Sequence, residues 1–233
     1  MSRARGGGPD ALAPEFTVTP ELLDALSPPV DRGGVVLGCG LYDELLSVSV
    51  LRPQPTRLVV IGGLALARLV TLRAMATGAC VIIATDHPAS WQPVVHAAGE
   101  GLDVPLVRPL EPCELPRAAQ DAPLLVVQDG GAVPQELFPP DSPWQSTLYA
   151  LPSLHPHAEN IAVDADLVLL QRLPADQATL AARMWRLPAP MTHQLTTLDD
   201  DGVIALGQNL WLPLRLNTTP AEREIIGPVR PGT

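Results

Sequence analysis

Two glycines and one aspartate are spaced as in a nucleotide-binding β-α-β unit. Gly62 and Gly63 follow an apolar run, Leu58–Ile61, and Asp86 follows a second run, Cys80–Thr85. In dinucleotide-binding folds, glycines at the first position let a pyrophosphate reach the helix N-terminus, and the acid after the second strand binds a ribose hydroxyl. Gly62, Gly63 and Asp86 are therefore the candidate residues for binding NAD(P).

The dinucleotide fingerprint is nevertheless incomplete. It requires a third glycine, which this segment lacks, and the bulky side chains of Leu64 and Leu66 stand in the turn instead. A tight strand-to-helix turn without a ligand is the favoured interpretation, so we expect no cofactor, and NAD(P) binding remains the alternative.

The strand and the turn of the same unit also fit a P-loop, but the residues that bind phosphate in a P-loop are missing. All fifteen cationic residues are arginine, so the chain has no lysine to reach a β- or γ-phosphate. Asp129 follows the apolar run Leu124–Val127 and stands where the acid of a Walker B motif would. Without lysine the chain also cannot form a Schiff base or anchor pyridoxal phosphate. We therefore lean towards a protein that is not an enzyme.

The histidines suggest neither a metal site nor a catalytic one. His155 and His157 are the only close pair, and no acidic or cysteine cluster completes a set of metal ligands. His87 and His96 flank Trp91 and could each act as a general base, but no nucleophile motif accompanies them. We predict no metal ligand and no catalytic residue.

Composition restricts the partners and the compartment. The formal net charge of −10 argues against nucleic acid, because binding a phosphate backbone needs clustered cations. No apolar run reaches the ~20 residues of a membrane span, and no signal peptide is recognisable. Three widely spaced cysteines are typical of reduced thiols. We expect a cytoplasmic protein without a direct membrane span, and association with a membrane complex stays open.

The order of the predicted elements indicates an α/β fold. Apolar strands that alternate with helices predict a mostly parallel, Rossmann- or P-loop-like sheet in three layers, with an N-terminal β-hairpin and a C-terminal antiparallel hairpin. We expect a disordered lead-in over residues 1–18 and one α/β domain over 19–233. Within that domain, residues 19–52 form a helix and hairpin appendage and residues 53–233 form the core.

Several segments resemble a known superfamily. They are the runs Leu51–Arg57, Val60–Gly63, Pro143–Gln145, Ala165–Leu173 and Thr219–Glu222, together with Ile226-Gly227. The chain resembles proteins of the FtsK/VirD4/EccC superfamily of translocation ATPases and is similar to actinobacterial proteins associated with type VII (ESX) secretion. The resemblance implies a nucleotide-binding fold, and the missing lysine implies that the fold is degenerate, a pseudo-ATPase.

The leading hypothesis is a non-catalytic accessory or scaffold component of a type VII secretion system. It would act through protein–protein contacts, with Trp144 and Trp211 as candidate anchors and a secretion ATPase or another subunit as partner; a homo-oligomer stays open. The alternative is an oxidoreductase of the Rossmann type that uses NAD(P) or another nucleotide at Gly62, Gly63 and Asp86. A weaker third option is a regulator that binds a small molecule.

Overall fold

Ten strands form one sheet in the computed structural model, which describes residues 34–40, 43–99, 104–207 and 210–228. In chain order the strands are β1 (Gly34–Cys39), β2 (Leu45–Ser49), β3 (Thr56–Ile61), β4 (Cys80–Thr85), β5 (Leu106–Arg108), β6 (Leu124–Asp129), β7 (Gln145–Leu151), β8 (Leu167–Leu170), β9 (Gly202–Gly207) and β10 (Leu210–Leu216). Their order across the sheet is β2-β1-β10-β9-β8-β3-β7-β6-β4-β5.

The strands from β8 to β5 in this order are parallel to one another, and the strands on the other side of β8 are antiparallel. The central parallel strands are apolar almost throughout, because helices or loops cover both of their faces. The predicted α/β fold, with a mostly parallel sheet and a hairpin at each end of the chain, is confirmed.

The N-terminal hairpin is continuous with the main sheet. Strand β1 pairs with β10, where Gly38 lies opposite Leu216 and Cys39 opposite Arg215. A Cβ atom at Gly38 would overlap the backbone carbonyl of Arg215, so this crossing of the two strands requires glycine. The lead-in over 1–18 and the helix predicted from Thr19 lie outside the described residues.

The six described α-helices connect and cover the strands. They are α1 (Leu64–Ala76), α2 (Gln92–Ala97), α3 (Glu159–Val163), α4 (Ala175–Trp185), α5 (Ala189–Thr197) and α6 (Pro220–Ile226), and a 3-10 turn (Pro88–Trp91) precedes α2. Helix α1 ends before Gly78, whose φ of +92° is the left-handed conformation that glycine adopts readily after a helix. The sequence predicts helices over about Leu64–Thr77, from Ser90 to about Ala98 and from Pro174 to about Trp185, which correspond to α1, α2 and α4. Helices α3, α5 and α6 were not anticipated.

Alternation along β3 divides the core into two layers. Leu58 and Val60 join the buried cluster that contains α1, and Val59 and Ile61 join the cluster that contains α3 and α4. Successive side chains of a strand point to opposite faces, so a fully apolar strand supplies both clusters. Full burial of one such side chain stabilises the fold by about 1.5–3 kcal/mol.

Arg73, in the last turn of α1, connects β1 and α6 to this core. Its guanidinium group donates to both carboxylate oxygens of Glu222, at 2.7 and 2.9 Å, and to the carbonyl oxygens of Val36, Leu37 and Asn217. A planar guanidinium suits such a bidentate contact. One side chain therefore connects α1 with β1, with the segment after β10 and with α6.

Candidate functional site

A cavity lies at the carboxyl ends of β3, β4, β6 and β7, where open α/β sheets bind their ligands. Its volume is about 340 Å³. Apolar side chains form part of its wall and glycine backbone and polar side chains form the rest; the lining residues are Val60, Gly62, Gly63, Leu64, Ala67, Asp86, His87, Ser90, Asp129, Gly130, Gly131, Ala150, Leu151 and Pro152.

The turn at the centre of this cavity is short. Gly62 and Gly63 alone separate the end of β3 from the start of α1. Gly62 has a φ of +143°, and a Cβ atom there would lie 2.5 Å from the Oε1 atom of Gln171. Glycine is required at this position both by the backbone conformation and by the neighbouring glutamine.

Gln171 fills the space beside the turn. It follows β8, its backbone N–H donates to the carbonyl oxygen of Ile61, and its side-chain Oε1 accepts the N–H of Gly63 at 2.7 Å. The side chain is fully buried, and its Nε2 atom has no hydrogen-bond partner in the described part of the chain. In nucleotide-binding proteins, the backbone N–H groups of this turn donate to a phosphate. Here the N–H of Gly63 donates to Gln171 instead.

Asp129 ends β6 and is held in place by two donors. Its Oδ2 atom accepts the indole N–H of Trp91 at 2.8 Å and the hydroxyl of Thr85 at 3.0 Å. The same hydroxyl accepts the backbone N–H of His87 at 2.9 Å. Trp91 is fully buried, so this tryptophan belongs to the core and not to a partner surface.

Arg68, on α1, is a cation near this carboxylate. Burial lowers the pKa of Arg68, and the charge of Asp129 acts in the opposite direction. Its guanidinium group donates to the carbonyl oxygens of Ser90 and Ile226, and within the described residues its Nε atom has no partner. Arg68 is thus directed to backbone carbonyls and is not among the residues that line the cavity.

The charge of the cavity wall is negative. Asp86 and Asp129 both line it, and none of its described lining residues is an arginine or a lysine. A polyphosphate in this cavity would face two carboxylates without a lining cation, which raises the electrostatic cost of binding. The cavity lies where open α/β sheets bind their ligands, but its described wall carries two acidic side chains.

The structure brings the sequence-predicted residues together. Gly62, Gly63 and Asp86 line one cavity, and Asp86 is exposed at its rim. His87 also lines the cavity, whereas His96 is an exposed residue of α2 that does not.

The other candidates have simple local roles. The Nδ1 atom of His155 accepts the backbone N–H of His157, and the two rings meet edge to face at 4.9 Å. No group of three or more potential metal ligands occurs among the described residues. Trp144 and Trp211 are both half-buried, and the indole N–H of Trp211 donates to Gln194 at 3.1 Å.

Sequence reasoning missed Gln171, Arg68 and the contact between Trp91 and Asp129. A weak signal existed for Gln171, because a polar residue that directly follows a fully apolar central strand lies at the ligand edge of the sheet. The contact of Trp91 with Asp129 joins the 3-10 turn after β4 to the end of β6, and nothing in the local sequence indicates it.

The comparisons with known proteins concern the fold. The solved structure of VirB4 of Thermoanaerobacter pseudethanolicus matches 82% of this chain and 98% of its own, with a TM-score of 0.55 and 8% sequence identity. At this identity the likeness is one of fold alone. It supports a three-layer, P-loop-ATPase-like fold.

Two further solved structures are less similar. One is the cytoplasmic domain of the type VII secretion ATPase EccC of Thermomonospora curvata, with a TM-score of 0.47 and 10% sequence identity. The match covers 86% of this chain and 32% of the EccC chain. The pCW3 conjugation coupling protein TcpA has a TM-score of 0.49 and 10% identity over 79% of this chain and 66% of its own. No protein-family model matches the sequence, and no curated protein matches it.

The described residues include no helix that is both long enough and apolar enough to cross a membrane.

Proposed function

We propose that this chain is a non-catalytic accessory or scaffold component of a type VII secretion system, which acts through contacts with other proteins. One observation carries the non-catalytic part of the proposal. The turn where a nucleotide-binding fold holds its phosphates consists of Gly62 and Gly63 alone, and the N–H of Gly63 is bonded to Gln171.

Two features of the site support the proposal that it neither binds nor hydrolyses a nucleotide. A functional P-loop is longer and carries a lysine and a Ser/Thr for the phosphates and Mg²⁺, and here no lysine exists. Asp129, at the position of the Walker B acid, receives the N–H of Trp91 and the hydroxyl of Thr85. Its bonded oxygen is therefore occupied by protein donors.

The secretion part of the proposal rests on the sequence resemblance carried by segments such as Leu51–Arg57 and Ala165–Leu173. The VirB4-like fold is compatible with it. A partner such as a secretion ATPase would contact the half-buried Trp144 or Trp211, since tryptophan is enriched among the residues that dominate binding energy.

A nucleotide panel tests the non-catalytic part. Thermal unfolding is measured with ATP and Mg²⁺, GTP, NAD⁺, NADP⁺ and S-adenosylmethionine, on the wild type and on Asp86→Ala. We expect no shift with any of them. A ligand at 100 times its Kd adds about 2.7 kcal/mol to the free energy of unfolding, so real binding would be visible. A shift that Asp86→Ala abolishes would favour the NAD(P) alternative instead.

A binding experiment tests the partner. The purified chain is titrated against the cytoplasmic ATPase domain of a type VII secretion system, with and without ATP. We expect a complex that Trp144→Ala or Trp211→Ala weakens by about tenfold or more, as for a residue that dominates an interface. His193→Ala, an exposed residue of α5, is the control. Absence of a complex would contradict the choice of partner without affecting the nucleotide result.

A further inference from the structure

We propose that the cavity at the carboxyl ends of the central strands binds an organic cation: an ammonium or guanidinium group on a short aliphatic stem. The inference goes beyond the proposed function, because it concerns the chemistry of the cavity whichever protein the chain contacts. A volume of about 340 Å³ lies in the range typical of small-ligand sites.

Asp129 supplies a carboxylate that is oriented before a ligand arrives. Trp91 and Thr85 both donate to its Oδ2 atom, and Oδ1 accepts no hydrogen bond in the described part of the chain. The residue is half-buried and lines the cavity. A fixed, partly desolvated acceptor of this kind favours a charged donor, because charge-assisted hydrogen bonds are about twice as strong as neutral ones.

Asp86 places a second negative charge at the rim of the same cavity. The charge of Asp129 acts on the pKa of Arg68, but the guanidinium group of Arg68 donates to the backbone at Ser90 and Ile226. Among the lining residues that the structure describes, His87 is the one basic side chain. The wall therefore attracts a cation and repels a phosphate.

The remaining wall suits an aliphatic stem. Val60, Leu64 and Ala67 line it from the side of β3 and α1, and Ala150 and Leu151 line it from β7. A ligand that buries methylene groups here gains about 0.8 kcal/mol for each one. An acidic group above an apolar wall is complementary to a cation on a hydrocarbon chain.

A pair of probes of nearly the same shape tests the preference for a cation. Butylguanidinium carries one positive charge and five N–H donors, whereas butylurea is neutral and has a carbonyl oxygen in place of one NH₂ group. Isothermal titration calorimetry on the full chain should show binding of butylguanidinium that is about tenfold or more tighter than that of butylurea, the factor that 1.4 kcal/mol corresponds to. Equal binding of the two probes, or no binding of butylguanidinium, would overturn the proposal.

Isosteric variants locate the site. Asp129→Asn and Asp86→Asn should each weaken butylguanidinium binding severalfold, whereas Asp121→Asn, an exposed residue outside the cavity, should not. Leu64→Trp fills the cavity without a change of charge and should abolish binding. Circular dichroism confirms that each variant is folded before it is titrated. Unchanged binding in the folded Asp129→Asn and Leu64→Trp variants would overturn the assignment.

Two arms distinguish the source of the cation. Ac-Gly-Arg-Gly-NH₂ is compared with the same peptide carrying citrulline. Binding of butylguanidinium and of the arginine peptide, but not of the citrulline peptide, indicates a side chain of a protein partner. Binding of butylguanidinium without either peptide indicates a free small molecule. The two proposals fail in different experiments. Binding of ATP in the nucleotide panel would contradict the proposed function, whereas a lack of butylguanidinium binding would contradict the proposed cation site.

Discussion

The backbone N–H of Gly63 donates a 2.7 Å hydrogen bond to the side-chain oxygen of Gln171, across the gap between two neighbouring strands. The contact joins the turn after β3 to the end of β8. It uses, inside the protein, a donor that a nucleotide-binding protein would offer to a phosphate. The same glutamine forces glycine at position 62.

Gly62→Ala should destabilise the fold more than Gly78→Ala. Both residues have a positive φ, but a Cβ at Gly78 meets nothing within 4 Å, whereas a Cβ at Gly62 meets Gln171. Backbone strain costs about 1–2 kcal/mol in either variant. Gly62→Ala adds the steric clash of the new Cβ atom with Gln171. Urea unfolding of both variants measures the difference. In a Gln171→Ala background the extra cost should shrink, and an unchanged cost would contradict the role of Gln171.

Trp91→Phe should lower the free energy of unfolding by about 1.5–3 kcal/mol, the contribution of a hydrogen bond to a charged group. The change leaves the carboxylate of Asp129 without its indole donor. Trp211→Phe is the control, because its N–H donates to the neutral Gln194 from a half-buried position. We expect it to cost less, on the order of 1 kcal/mol. An equal loss in both variants would show that Asp129 gains nothing special from Trp91.

Glu222 makes stability depend on acidic pH. The hydrogen bonds from Arg73 hold the pKa of Glu222 below its usual value, and the backbone N–H of Thr219 acts in the same direction. A carboxyl whose pKa is lower in the folded state stabilises the fold above its unfolded pKa, and this contribution is lost as the pH falls through the folded pKa. Glu222→Gln should therefore flatten the decline of stability between neutral and acidic pH, measured as the urea midpoint. A parallel decline in both proteins would contradict this.

Tyr149 makes stability depend on alkaline pH. Burial raises the pKa of Tyr149 to about 12, and its hydroxyl has no hydrogen-bond partner among the described residues. A group whose pKa is raised on folding contributes stability that is complete below the unfolded pKa of about 10 and is lost as the pH rises through the folded pKa. Tyr149→Phe should flatten the decline between these values without a large loss at neutral pH. The ultraviolet absorbance of tyrosinate checks the titration directly, and an ordinary pKa would sink the prediction.

The sequence by itself determined the strands, because short apolar runs such as Leu58–Ile61 and Leu124–Val127 are typical of parallel strands that are covered on both faces. It also determined the turn at Gly62 and Gly63 and excluded lysine chemistry. Short helices such as α3 and α6 were missed, because five to seven residues hold too little periodicity to be recognised.

Only the tertiary structure decided what surrounds that turn. Gly63 and Gln171 are separated by more than a hundred residues and meet because β3 and β8 are adjacent in the sheet. The contact of Trp91 with Asp129 likewise depends on the pairing of β4 with β6. Strand order is a property of the whole chain, since it is fixed by how the layers pack and not by any local pattern of residues.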